Sequence, residues 1–165
     1  RQKAPELFIA IAARLRASGR DFRFILHGEG ELAPWVDALL EGAGLGDVVL
    51  RRDSSVPVAD TLEQSHLLLV TSHNEGLTLT TLEAIAHGVP VVSTNVGAQQ
   101  DVIPADALLA RNVHRAARDG AAVVGALADD EDSRRTLWKR ERKAERRLLA
   151  VPSATQWFSE EVRAW

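Results

Sequence analysis

Cysteine is absent from the 165 residues, which excludes disulfide cross-links, thiolate metal sites and a cysteine nucleophile. Methionine is absent too, the first position included, and the chain opens on Arg1, Gln2 and Lys3, so a piece excised from a longer protein is expected. Lysine is scarce: Lys3, Lys139 and Lys143 are the whole set. No run approaches the ~18 consecutive apolar residues of a membrane helix, and no charged-then-apolar leader is present, so a soluble, cytoplasmic protein is expected. An excess of either charge is also lacking. Lys plus Arg number 20 and Asp plus Glu 23, a net charge of −3 with pI near 6.0, which leaves no global electrostatic case for nucleic acid. The histidines His27, His66, His73, His87 and His114 show no H-E-x-x-H or comparable pairing, so no zinc hydrolase and no metal site is expected.

What is present is an ordinary globular composition, 45% hydrophobic, enough for one domain with a real core. Its densest signal is residues 71–97, read as loop, helix, turn, strand and glycine loop in succession. The short apolar run 66–70 suits a buried strand. From Leu77 onward Leu79, Leu82, Ile85 and Ala86 recur at helical spacing; Gly88 supplies a left-handed cap, Pro90 blocks continuation, and Val91 and Val92 enter the next strand. An open α/β sheet builds a ligand crevice at strand ends in this way.

Two glutamates carry the chemistry, Glu75 in the loop and Glu83 about two turns into the expected helix. At ~1.5 Å per residue they lie roughly 12 Å apart along the axis. Glycosidase carboxylates flank one bond at roughly 5 to 9.5 Å, so this is not a hydrolase pair. Between the two acids, the free N–H groups of Gly76, Leu77 and Thr78 at a helix start form an anion site backed by the helix dipole. Acid, anion site, acid matches hydroxyls at both ends of a ligand and phosphate in the middle, the order of groups in a nucleotide-sugar. Thr78, Thr80 and Thr81 remain open to a second reading, as first-turn residues satisfying loose N–H groups.

Glu75-Gly76-Leu77, Leu82-Glu83-Ala84, Gly88-Val89-Pro90-Val91-Val92 and Asn95-Val96-Gly97 together resemble the donor-binding half of the GT-B-fold retaining glycosyltransferases of group 1. Upstream, His27-Gly28-Glu29-Gly30 falls where that family has a glycine-rich turn after a strand. The resemblance implies that Glu75, as the catalytic residue, holds the donor sugar's hydroxyls near the anomeric carbon, and that Glu83 holds the ribose hydroxyls. It implies that Lys3 matches a basic residue reaching the donor diphosphate, with a solvent-facing lysine as the competing reading. Donor contacts are accordingly assigned to Glu83, Gly76, Leu77, Thr78, Lys3, Gly28, Glu29 and Gly30. Gly97 is read as a tight strand exit whose loop faces the sugar in the family. A strand and a whole acceptor-binding half are expected upstream. The resemblance also implies that no cofactor is needed, because in that family amides and a basic residue take the place of a divalent metal.

The rest of the chain reads as alternating elements: a helix over 4–17 opened by Pro5, a strand over 21–27, a helix around Trp35 and Leu39, and a strand over 48–50 followed by Arg51 and Arg52. A short helix near Pro57 follows, where the nucleotide base would be selected. Residues 98–103 read as a short helix and 107–110 as an edge strand. The C-terminal part, residues 111–165, reads as three helices, over 114–127, 130–149 and 153–165, with Trp138, Trp157, Phe158 and Trp165 packing them onto the sheet or onto the expected acceptor-binding half. The acidic run 129–132 is read as helix-start residues rather than a metal site. The basic run 134–147 is read as a solvated helix face, with an anionic membrane patch as second reading.

The expected fold is α/β: a doubly wound, Rossmann-like, mostly parallel sheet of four or five strands flanked by helices, one half of a GT-B fold. The expected function is donor binding for transfer of a sugar, with retention, to an unassigned saccharide, lipid-linked or small-molecule acceptor; the chain alone is expected to be inactive. Alternatives are an epimerase-like or phosphorylase enzyme of the same architecture and a non-catalytic, degenerate transferase module. The phosphorylase branch carries a pyridoxal-phosphate lysine, and no lysine lies in the central stretch.

Overall fold

Helix and strand alternate from Pro5 onward in the computed structural model, which describes residues 2–150. Helix α1 (Pro5–Ala17) starts where proline needs no hydrogen bond, and it buries Leu7, Phe8, Ile9, Ile11, Ala12 and Leu15. Strand β1 (Phe24–His27) runs parallel to β2 (Val49–Arg52), with Phe24 paired to Val49, and α2 (Ala33–Gly42) connects them. The five-residue α3 (Val58–Leu62) leads to β3 (Leu68–Val70), which pairs in parallel with β4 (Val91–Thr94) across α4 (Leu79–Ala86). Beyond a 3-10 turn at Gln99–Asp101, β5 (Leu108–Leu109) adds to the other edge of β4, again in parallel. Helices α5 (Val113–Asp129) and α6 (Glu131–Leu149) complete the described chain. The expected helix over 153–165, with Trp157, Phe158 and Trp165, lies outside the described residues.

Five strands therefore form the expected parallel α/β, Rossmann-like arrangement, but in two ladders, β1-β2 and β3-β4-β5. Side-chain packing joins them instead of a shared ladder: Phe24 and Leu69 both touch the cluster around β4 and the cluster around Phe8, Leu40 and Val49. Strand β4 is the centre of its sheet. Val91, Val92, Ser93 and Thr94 are all buried under α4, α5 and α6, as parallel strands with both faces covered require. At Gly120, α5 comes so close to its neighbours that an added Cβ would sit 2.7 Å from Ile11 Cδ1 and 3.0 Å from Leu109 Cδ1.

Several expectations shift in detail. Arg51 and Arg52 lie within β2 and not beyond it. Leu79, one of the apolar residues at helical spacing, is the first residue of α4 and is 74% exposed. The run 134–147 is not wholly solvated. Leu137, Glu141 and Glu145 recur at four-residue intervals and are buried, so two glutamates occupy core positions on the inner stripe of α6. Trp138 Nε1 donates to the Ile85 carbonyl at 2.8 Å, and both oxygens of Glu141 accept from Val91 N at 3.1 Å, which docks α6 on the junction of α4 and β4. The acidic run caps and pairs: Asp130 accepts from Asp132 N at 2.9 Å and Ser133 Oγ at 2.6 Å, Glu131 pairs with Arg135, and Asp129 with Arg20.

Candidate functional site

Beyond Val70 the chain leaves the carboxyl end of β3 and is held at nearly every step. Thr71 Oγ1 donates to the Lys3 carbonyl at 3.1 Å, Thr94 Oγ1 to that of Ser72 at 2.6 Å, and His73 N to that of Gln2 at 2.8 Å. Gln2 Nε2 returns a bond to the Asn74 carbonyl at 2.8 Å. Residues 2–4 thus lie along this loop, and the chain then turns into α1 at Ala4. That residue is fully buried in a left-handed conformation, φ 44° and ψ 59°, which costs an L-residue about 1–2 kcal/mol.

The turn delivers Lys3 to Glu75. Lys3 Nζ donates to Glu75 Oε1 at 2.5 Å; the lysine side chain is 72% exposed and the glutamate 12%. Gly97 closes the opposite side at φ 53°, where a Cβ would fall 1.9 Å from the Glu75 carbonyl oxygen and 2.4 Å from that of Gly76. Ala98 N donates to the same Gly76 oxygen at 3.2 Å. The strand-exit reading of Gly97 is therefore only part of its role, since no other residue fits against the Glu75 loop.

Helix α4 begins two residues later than the sequence spacing predicts. Thr78, extended at φ −72° and ψ 134°, is its N-cap, accepting from Thr81 N at 3.3 Å. Gly76, Leu77 and Thr78 are consequently the approach to the helix, and among the described residues their N–H groups donate to no protein acceptor. The Thr78 hydroxyl is taken up by the cap, so only its amide is left for an anion. Glu83 lies one turn into the helix, about 6 Å along the axis from Leu79, instead of two. Its side chain is exposed and it makes no side-chain hydrogen bond among the described residues.

The glycine turn after β1 forms a separate group. Gly28, at φ 124°, donates its N–H to the Arg52 carbonyl at 2.8 Å, and Glu29 accepts from Ser54 Oγ. Gly30 accepts from Ala33 N at 2.9 Å. Among the described residues no hydrogen bond joins this turn to the Glu75 loop; α3 touches both β1 and α4, and its Thr61 meets His27 Nδ1 and Arg52 Nη1, each at 2.9 Å. Arg51 is paired with Asp37 at 2.5 Å, whereas Arg52 donates to the neutral Thr61 hydroxyl and to Gln64 Oε1 at 2.7 Å. His73 is exposed and sits 3.2 Å from Glu6. Two clefts, of about 410 and 450 Å³, lie against α2 and β2 and between α5 and α6, away from Glu75. No described helix is long and apolar enough to cross a membrane, and among the described residues no three His, Asp or Glu are placed to share a metal ion.

Sequence reasoning missed Ala4 and Gln99. Gln99 is fully buried and bonds to both Thr78 and Thr81, yet it belongs to a polar doublet with no periodicity to mark it.

Known proteins resemble this chain in sequence and in fold. A curated D-inositol 3-phosphate glycosyltransferase of Arthrobacter sp. (strain FB24) is 31% identical over 141 residues, 81% of this chain and 33% of that protein. The chain spans about a quarter to a third of the length of the curated relatives it matches. The crystal structure of Anabaena Alr3699/HepE in complex with UDP and glucose superposes with a TM-score of 0.79 at 16% identity, covering 99% of this chain and 46% of that one. The C-terminal domain of a Francisella tularensis group 1 glycosyl transferase, LpcC, superposes with a TM-score of 0.75 at 20% identity over 92% of this chain and 82% of that domain. These likenesses show the fold of GT-B glycosyltransferases. Since residues 1–130 also match the family described as glycosyl transferases group 1, a span that contains Lys3, the Glu75 loop and all five strands, the chain belongs to that family.

Proposed function

We propose that this chain is the donor-binding part of a glycosyltransferase that takes its sugar from a nucleoside diphosphate sugar and transfers it with retention of configuration. The observation that carries the reading is the junction of Lys3, Glu75 and the unpaired amides of Gly76, Leu77 and Thr78 at the amino end of α4. The diphosphate would lie over those amides and the first turn of α4, where the dipole and the lysine both favour negative charge. Glu75 would accept from sugar hydroxyls near the anomeric carbon, and Glu83 from the ribose. As the glycosidic bond breaks, charge grows on the leaving diphosphate, and preformed donors there lower the barrier. No divalent metal is assigned a role. The UDP and glucose in the HepE complex, a protein of the same fold, support a donor of this class.

Because the chain spans about a third of its relatives, we propose that the acceptor is held by a second domain of the intact protein and that this chain alone transfers nothing. The test is titration of uridine, guanosine and adenosine diphosphates while backbone amide resonances are followed. Shifts centred on residues 76–80 support the reading; binding that moves other regions and leaves these in place overturns it.

A further inference from the structure

Three side chains at the start of α4 form a closed circle of hydrogen bonds. Gln99 Nε2 donates to Thr78 Oγ1 at 3.1 Å, Thr78 Oγ1 and Thr81 Oγ1 are 2.6 Å apart, and Thr81 Oγ1 donates to Gln99 Oε1 at 3.2 Å. Thr78 Oγ1 also accepts from Thr81 N, so both its lone pairs are filled and its proton must go to Thr81. With the Gln99 amide in this orientation every hydroxyl proton has one direction; with the amide turned over all of them reverse and the circle closes again. Gln99 and Thr81 are fully buried, so water does not substitute for a missing member.

The circle has a mechanical consequence. Gln99 belongs to the segment beyond Gly97, while Thr78 ends the Glu75 loop, so the amide approach to α4 is clamped at two points: Gln99 at Thr78 and Ala98 N at the Gly76 carbonyl. Only a side chain that offers a donor and an acceptor on adjacent atoms completes the circle. Leucine offers neither, and an ionised carboxylate offers acceptors alone.

We propose that Gln99 is a positioning residue of the donor site, holding the amides of Gly76, Leu77 and Thr78 in the orientation that receives the diphosphate. This rests on the donor-site reading above. Gln99 touches no ligand itself; it acts through Thr78 and Thr81.

The test compares the native chain with Gln99→Leu, Gln99→Glu and Thr81→Val, using uridine and guanosine diphosphates as probes and thermal unfolding to confirm folding. Gln99→Leu and Thr81→Val, which open the circle at different points, are expected to weaken the better probe about tenfold and to move the Gly76 and Leu77 amide resonances before any nucleotide is added. Gln99→Glu is expected to bind weakly at neutral pH and to recover native affinity at acid pH, where its protonated carboxyl regains a donor, while the native chain shows no such recovery. Native affinity in folded Gln99→Leu, or Gln99→Glu affinity that follows pH as the native chain does, overturns the proposal while leaving the donor site standing. A native chain that binds neither probe overturns the donor reading and this role with it.

Discussion

Lys3 Nζ and Glu75 Oε1 meet at 2.5 Å across 72 positions of sequence, and they do so because Ala4 accepts a left-handed turn between them and α1. The pair offsets the glutamate charge and, on the proposed donor reading, puts a cation beside the diphosphate. Lys3→Met is expected to weaken nucleoside diphosphate binding about tenfold, the worth of one charge-assisted bond, with a shallower salt dependence than the native chain. Calorimetry at two ionic strengths checks this, and equal affinity for both proteins would remove Lys3 from the site.

In the intact protein, Glu75→Gln is expected to lower kcat at least about a hundredfold while changing nucleoside diphosphate affinity much less, because on the proposed reading its partner is the sugar and not the nucleotide. Steady-state kinetics alongside equilibrium binding separates the two effects. A loss confined to KM would assign Glu75 to nucleotide binding alone.

Gly97→Ala forces a methyl into the Glu75 and Gly76 carbonyl oxygens at a φ of 53°. The backbone on both sides must move, so the variant is expected to lose about 2 kcal/mol or more of stability and to bind nucleotide poorly. Urea unfolding and calorimetry give both quantities.

Burial pushes the Glu141 carboxyl up to about 8 from its usual 4.5, with the Val91 N–H and nearby Arg140 pulling the other way and Asp106 adding to the rise. The folded state thus holds a proton that the unfolded chain releases near pH 4.5. Its contribution is full below that point and falls away as pH rises toward about 8, on the order of a few kcal/mol in all. Glu141→Gln keeps an acceptor for Val91 N without the charge, so its stability relative to the native chain is expected to grow across that window. Denaturation midpoints at pH 5 and pH 8.5 measure it, and a constant difference would contradict this account.

Much of this molecule was legible in its sequence, for reasons visible at single residues. Gly88 adopts φ 84° and ends α4 because Pro90 and two valines follow it. Pro5 starts α1 and the apolar spacing gives its buried face. What escaped depends on tertiary contact. Thr78 reads equally as phosphate ligand or cap until Gln99 is seen beside it. Glu141 and Glu145 look like relief in a basic run, and only the arrival of α6 on β4 makes them core residues. The pairing of Lys3 with Glu75 needed a turn at an alanine, a residue with no mark of its own.

The central claim is an amide pocket bracketed by two carboxylates that grip a nucleoside diphosphate sugar. Calorimetric titration of a nucleoside diphosphate panel into the native chain and into Glu83→Ala tests it most directly. The account predicts that at least one member binds the native chain and weakens about tenfold or more in the variant, by loss of the ribose contact. A well-folded native chain that binds none of them, or a Glu83→Ala chain of unchanged affinity, would contradict it.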